Sequence, residues 1–198
     1  MSERLLAIAI TGGIAAGKSE ALAAFERRGA AVSSADAIVH RIYREDDGLK
    51  DELRARWGDG VFDAAGEVDR RAVAEIVFAD PAELAWLEGV LHPRVRRAQE
   101  RWLAELRALP DPPELVVVEI PLLFESGGES RYDKVVAVTA APALRAERRG
   151  PGLEAREARL IPDEEKLRRA DFAYVNDGTL AELDAFVAGV VEELASAS

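Results

Sequence analysis

The stretch of this 198-residue chain best suited to chemistry is Gly12-Gly13-Ile14-Ala15-Ala16-Gly17-Lys18-Ser19-Glu20. It fits the spacing Gly-x-x-x-x-Gly-Lys-Ser, the P-loop pattern of phosphate-binding loops. Glycines let backbone N–H groups turn inward toward phosphate oxygens. The start of a following helix adds partial positive charge. Lys18 has the reach for β- and γ-phosphates, and the Ser19 hydroxyl suits Mg2+. The pattern predicts phosphate binding and says nothing yet about which phosphate.

The elements that must hold this loop are legible on either side of it. Leu5–Ile10 is a short, continuous apolar run, as expected of a strand buried on both faces in a parallel sheet. Residues 17–28 are rich in Ala, Leu and Glu and stop at Gly29, which predicts a helix. Further strands are expected at 30–34, in "ELVVVEIPLLFE" after the Pro-rich boundary 110–113, at 134–139 and in Phe172–Val175. The last helix is expected after Thr179, which with Glu182 forms a capping box. The alternation predicts an α/β fold with a mostly parallel five-stranded sheet. Residues 36–110 show helical patterns without a convincing strand, interrupted at His92-Pro93. They read as a helical insertion into a core of residues 1–35 and 111–198.

Composition narrows the class. With 48% apolar and 32% charged residues, the chain reads as a globular protein. It has no cysteine, so disulfides and thiol catalysis are excluded. A formal net charge of −11 argues against nonspecific nucleic-acid binding. The early apolar run is too short for a signal peptide or membrane span, so a cytoplasmic protein is expected. Protein partners are not legible.

No Asn-Lys-x-Asp for reading guanine occurs, and Asp63-x-x-Gly66 lacks a preceding strand and reads as a turn. A small-molecule phosphotransferase remains. It needs a base near the acceptor hydroxyl, an acceptor pocket and a cover that excludes water. A nucleoside-monophosphate-type kinase and a catalytically silent nucleotide-binding protein are the alternatives.

Five blocks in order, "TGGIAAGKS", "SADAIVH", "DRRAVAEIVFADPAELAWLEGVLHPRV", "PLLFES" and "EEKLRRAD" followed by "NDG", together resemble the dephospho-CoA kinase family. The resemblance covers about residues 6–185. It implies ATP-dependent phosphorylation of the ribose 3′-hydroxyl of dephospho-CoA, with ATP and Mg2+ required and a lid at about 145–165. On the residues alone, Asp36 reads as a helix cap; the resemblance implies the general base. It also implies acceptor contacts for His40, Arg70, His92 and Arg94, with Pro121 and Leu122 shaping the pocket floor. Arg70 and Arg94 read equally well as surface arginines, and Glu119 is expected to support Mg2+ through water. Arg145–Arg169 carries seven Arg and one Lys against six acids. Within it, Arg145 and Arg149 match the family's R-x-x-x-R and are the expected charge-neutralising groups. Asn176 matches the position bordering adenine.

Three features depart from the family pattern. Glu20 replaces the usual Thr, Ser34 replaces an Asp, and the lid is about four residues short. Glu20 is expected to turn its carboxylate away from the nucleotide, leaving backbone N–H groups to hold the α-phosphate.

Overall fold

The structure, a computed structural model, describes residues 5–149 and 160–196. Contacts divide the chain into two compact units, one of residues 1–34 and 110–198, the other of Ala35–Leu109.

The first unit is built on five strands: β1 (Leu6–Gly12), β2 (Ala31–Ser34), β3 (Leu115–Glu119), β4 (Lys134–Thr139) and β5 (Phe172–Val175). Their order is β2-β3-β1-β4-β5, and every pairing is parallel. The continuous apolar runs are explained by this. Ile8, Ile10, Val116, Val117, Val118, Val136 and Val138 have essentially no exposed surface, because helices and loops cover both faces. β1 lies in the centre, where the strand order reverses direction. In open parallel sheets, ligands bind beyond the carboxyl ends of the strands at this point. Register aligns those ends: Ile10 faces Glu119, Gly12 faces Val138, and Thr139 faces Val175.

Helix α1 (Lys18–Glu26) follows β1 and buries Ala21, Ala24 and Phe25 in the core. In the second unit lie α2 (Ala35–Glu45), α3 (Asp47–Trp57), α4 (Arg70–Ala79) and α5 (Pro81–Arg107). Back in the first are α6 (Pro142–Arg149), α7 (Asp163–Arg169) and α8 (Leu180–Ser196). The capping box before α8 is present: the Thr179 N–H donates to Glu182 Oε2 at 2.6 Å, and the Glu182 N–H donates to Thr179 Oγ1 at 3.2 Å. Leu183, Val187, Val190 and Leu194 form the buried stripe of α8. Arg27 and Arg28 of the turn after α1 both grip Asp184 on α8, tying the two helices together at the surface.

The second unit packs Ile38, Ile42, Leu49, Leu53, Val73, Val77, Leu87 and Leu91 into its own core. Asp46, Asp69 and Asp80 start α3, α4 and α5 by accepting backbone N–H bonds. Asp63 and Gly66 sit in a tight turn closed by the Phe62–Val68 bridge, with Asp63 Oδ1 accepting from Ala65 and Glu67. One expectation is corrected. His92-Pro93 does not interrupt the helix; α5 runs unbroken through it for 27 residues. Proline removes one hydrogen bond, the one to residue 89 four places back, and residue 89 is a glycine. Beside that gap Arg94 Nη1 donates to the Val90 carbonyl at 3.0 Å. Flanking turns packed on the unit core carry the helix past a single lost bond.

Acid should weaken the first unit. Hydrogen bonds from Arg28 and Arg27 hold the Asp184 carboxyl far below the usual range. Backbone and hydroxyl bonds from Thr179 lower Glu182. Burial opposes the charge of Asp171, but Lys134 and the Val135 N–H outweigh it and the net shift is downward. A carboxyl lowered in the folded state stabilises above its unfolded pKa of about 4 and loses that contribution as pH falls through the folded value. The melting temperature is therefore expected to fall below about pH 4. Asp184→Asn should lower it at pH 7, and by progressively less as the pH falls below about 4, measured by circular dichroism melts.

Candidate active site

The loop between β1 and α1 keeps its shape through close approaches that only glycine permits. Gly12 has φ 137°, and a Cβ there would overlap the Val138 carbonyl oxygen on β4. Gly17 has φ 98°, and a Cβ there would overlap the Asn176 amide. At Gly13 a Cβ would stand 2.8 Å from Arg145 Nη1 and 3.1 Å from Asp163 Oδ2. Asn176, buried at the end of β5, donates from Nδ2 to the Ala16 carbonyl at 2.9 Å. Its own N–H donates to Thr139 O at 2.6 Å, fixing it to β4. Arg148 donates to the Ala15 carbonyl at 3.3 Å, and Ala15 is the one non-glycine at positive φ among the described residues. The loop's outer carbonyls are thus held from outside. A planar trans peptide directs the adjoining N–H the opposite way, into the loop, where that of Ala16 reaches the Gly13 carbonyl at 3.4 Å.

No side chain caps α1. Its first N–H groups have no partner one turn back, as an anion site at a helix start requires. Lys18 is buried, and its Nζ donates to Gly13 O at 2.7 Å and lies 3.4 Å from Gly12 O. Arg145 is 6% exposed and pairs through Nη2 with Asp163 Oδ2 at 3.2 Å. Cation, loop and helix start converge in one unit. A cavity of about 550 Å³ beside them is lined by Ala140, Pro142, Arg145, Ile161, Asp163 and Val175 among others.

Ser19 Oγ donates to Glu119 Oε2 at 3.3 Å, so the hydroxyl and the carboxylate expected to serve a metal meet directly. Both are hard oxygen donors, which fits Mg2+. Among the described residues there is no group of three or more His, Cys, Asp or Glu able to hold a metal. The set fits an ion that takes most of its ligands from phosphates and water. Pro121, in the turn after β3, accepts from Thr11 Oγ1 at 3.4 Å, and it and Leu122 are half-buried. Glu20 is exposed in the first turn of α1. The side chain of Arg149 and residues 150–159 of the expected lid lie outside the described residues.

In the helical unit, Asp36 is the second residue of α2 and exposed, one place inside the helix rather than at its cap. His40 is one turn on, with its Nδ1 3.3 Å from Arg70 Nη1. Tyr43, below them, is pushed up to about 12 by burial, with Arg70 opposing. His92 is exposed on α5.

Arg94 is engaged within the helical unit. Its guanidinium donates to Asp46 Oδ2 at 3.1 Å, Glu52 Oε1 at 2.8 Å and the Val90 carbonyl at 3.0 Å. Burial works against its charge, yet Glu52 and Asp46 more than offset this and raise its pKa. It ties α5 to the N-cap and the body of α3. Sequence pattern alone could not distinguish it from Arg70.

The family model for dephospho-CoA kinase matches residues 6–182. The chain belongs to the dephospho-CoA kinase family. A dephospho-CoA kinase of Leifsonia xyli subsp. xyli is 39% identical over 194 residues, covering 92% of this chain and 98% of that one. One of Thermus thermophilus is 40% identical over 195 residues, covering 94% and 91%. The crystal structure of TT1252 from Thermus thermophilus superposes with a TM-score of 0.77 at 36% identity, covering 96% of this chain and 98% of that one. Dephospho-CoA kinase from Campylobacter jejuni gives 0.72 at 29% identity over the same shares.

Against this family frame, the structure brings together Gly12–Ser19, Glu119, Arg145 and Asn176. It adds three residues that sequence reasoning missed. Asp163 orients Arg145, Arg148 holds Ala15, and Lys166 pairs with Glu125. Charge-rich surroundings hid all three, and nothing in "DEEKLRR" marks Lys166 as the buried one.

Two substitutions test this geometry. Gly12→Ala should destabilise by roughly 3 kcal/mol through strained φ and overlap with β4 backbone, read by urea denaturation. Arg94→Ala should cost about 1–3 kcal/mol of stability. Arg70→Ala, whose guanidinium is exposed, should leave stability within about 0.5 kcal/mol of wild type.

Proposed function

We infer that this chain transfers the γ-phosphoryl group of ATP to the ribose 3′-hydroxyl of dephospho-CoA, giving CoA and ADP. The observation that carries the reading is the held-open phosphate loop, with Ser19 and Glu119 3.3 Å apart at its end, in a chain of this family. Mg2+, when bound, neutralises phosphate charge. Ser19 would hold it directly, with Glu119 acting through water.

The loop N–H groups from Gly13 to Glu20 receive the phosphates, and Glu20 contributes backbone only, its carboxylate turned to solvent. Lys18 leaves its loop carbonyls for β- and γ-oxygens. Arg145, oriented by Asp163, stabilises charge on the transferring group, and Arg149 is its proposed companion. Asn176 positions the loop beside the adenine. Asp36 accepts the proton of the attacking hydroxyl as the new P–O bond forms and the β–γ bridging bond breaks. His40, Arg70 and His92 contact the acceptor, with Pro121 and Leu122 forming the pocket floor. The helical unit 36–110 is the proposed acceptor-binding part. The reading carries with it a cytoplasmic location and small-molecule partners.

A coupled ADP-release assay with ATP, Mg2+ and dephospho-CoA tests it. Turnover stimulated by another acceptor and not by dephospho-CoA would overturn the reading. Asp36→Asn should cut kcat by at least ~10²-fold while leaving ATP affinity nearly intact. Undiminished turnover would remove Asp36 from its role.

A further inference from the structure

Lys166 has no exposed surface, although its helix α7 reads Asp-Glu-Glu-Lys-Leu-Arg-Arg. Burying an ammonium is unfavourable unless a charge partner is in place. That partner is Glu125, whose Oε1 lies 2.9 Å from Lys166 Nζ. The contact is a charge pairing rather than an aligned hydrogen bond, since neither Nζ nor Glu125 Oε2 has a hydrogen-bond partner. The same Glu125 Oε1 accepts the Ile161 N–H at 3.1 Å, one residue before Pro162 at the helix start. An incompletely satisfied buried pair is a poor source of stability, and apolar residues of similar size often do as well or better. In some proteins such a pair instead fixes a single placement.

That placement bears on the phosphate loop. Asp163 stands three residues before Lys166, on the same side of α7. Its carboxylate pairs with Arg145, and both lie against Gly13. Glu125 belongs to the turn that follows β3, the strand whose last residue, Glu119, meets Ser19. One face of α7 is therefore tied to Arg145 through Asp163 and to the 121–127 turn through Lys166. Arg169, a further three residues on, stacks 4.3 Å from the centre of the Phe124 ring and pairs with Glu129, so the tie extends along the helix.

We propose that Lys166 and Glu125 are positioning residues for phosphoryl transfer: their buried ion pair sets the placement of α7, and with it the Asp163 carboxylate that orients Arg145 against Gly13. The proposal rests on the reading of Gly12–Ser19 and Arg145 as the ATP site. Phosphoryl transfer draws its rate from positioning, and a misplacement of about 1 Å is enough to cost on the order of 10²-fold.

The experiment separates placement from folding. Lys166→Met alone leaves the largely buried Glu125 carboxylate without its cation and should lower the melting temperature. Lys166→Met with Glu125→Gln removes both charges and should recover most of that loss. In the double variant the ADP dissociation constant, measured by titration calorimetry, and kcat/KM should each remain about tenfold or more worse than wild type. Asp163→Asn should then add less on the double background than on wild type, because it breaks the same chain of contacts. Wild-type binding and kinetics in the recovered double variant would overturn the proposal. Glu125→Gln, nearly isosteric and still able to accept from Ile161, is measured in parallel. If the double variant fails to fold, Glu125→Gln decides, and wild-type ADP affinity and kcat/KM there would overturn the proposal. A wild-type protein that neither binds ADP nor turns over would instead overturn the donor-site reading, and this proposal with it.

Discussion

Gly12 meets the Val138 carbonyl so closely that no side chain fits between them. The phosphate loop depends on this contact. It lets the central strand end level with β4 and turn out of the sheet at once, at the edge where the other strands also end. Gly13 and Gly17 repeat the device, one admitting Arg145 and Asp163 and the other admitting the Asn176 amide. Once those groups hold the loop from outside, its N–H groups face inward. The loop is a rigid anion site because its neighbours occupy the space that side chains would otherwise fill.

Charge is arranged locally against the global balance. The chain carries −11 overall, yet Lys18, Arg145 and Arg148 all reach the loop. A small site needs only its own field, and low exposure strengthens it. Acids at the site act on other groups: Asp163 aims Arg145, Glu119 receives Ser19, and Glu125 fixes Lys166. Distant carboxylates such as Asp184 tie helices together at the surface.

The helical unit uses the same economy of polar groups. Three aspartates start its helices, and Arg94 ties α5 to α3 next to Pro93. Asp36, His40 and Arg70 remain exposed along the start of α2 and α4.

Pattern carried the reading of strands and helices far, since a strand buried on both faces has to be continuously apolar and a helix stop favours glycine. It misread Pro93, because proline's effect on a helix depends on whether flanking turns are packed well enough to carry the break. By itself the sequence determined the parallel α/β class, the phosphate loop and the family, for each rests on local residue types in a set order. Only the tertiary structure decided that Arg94 is a brace, that Asp163 aims Arg145 and that Lys166 is buried against Glu125. Those facts depend on which charged groups meet across tens of residues, and an arginine or lysine in solvent is spelled the same way as one sealed inside.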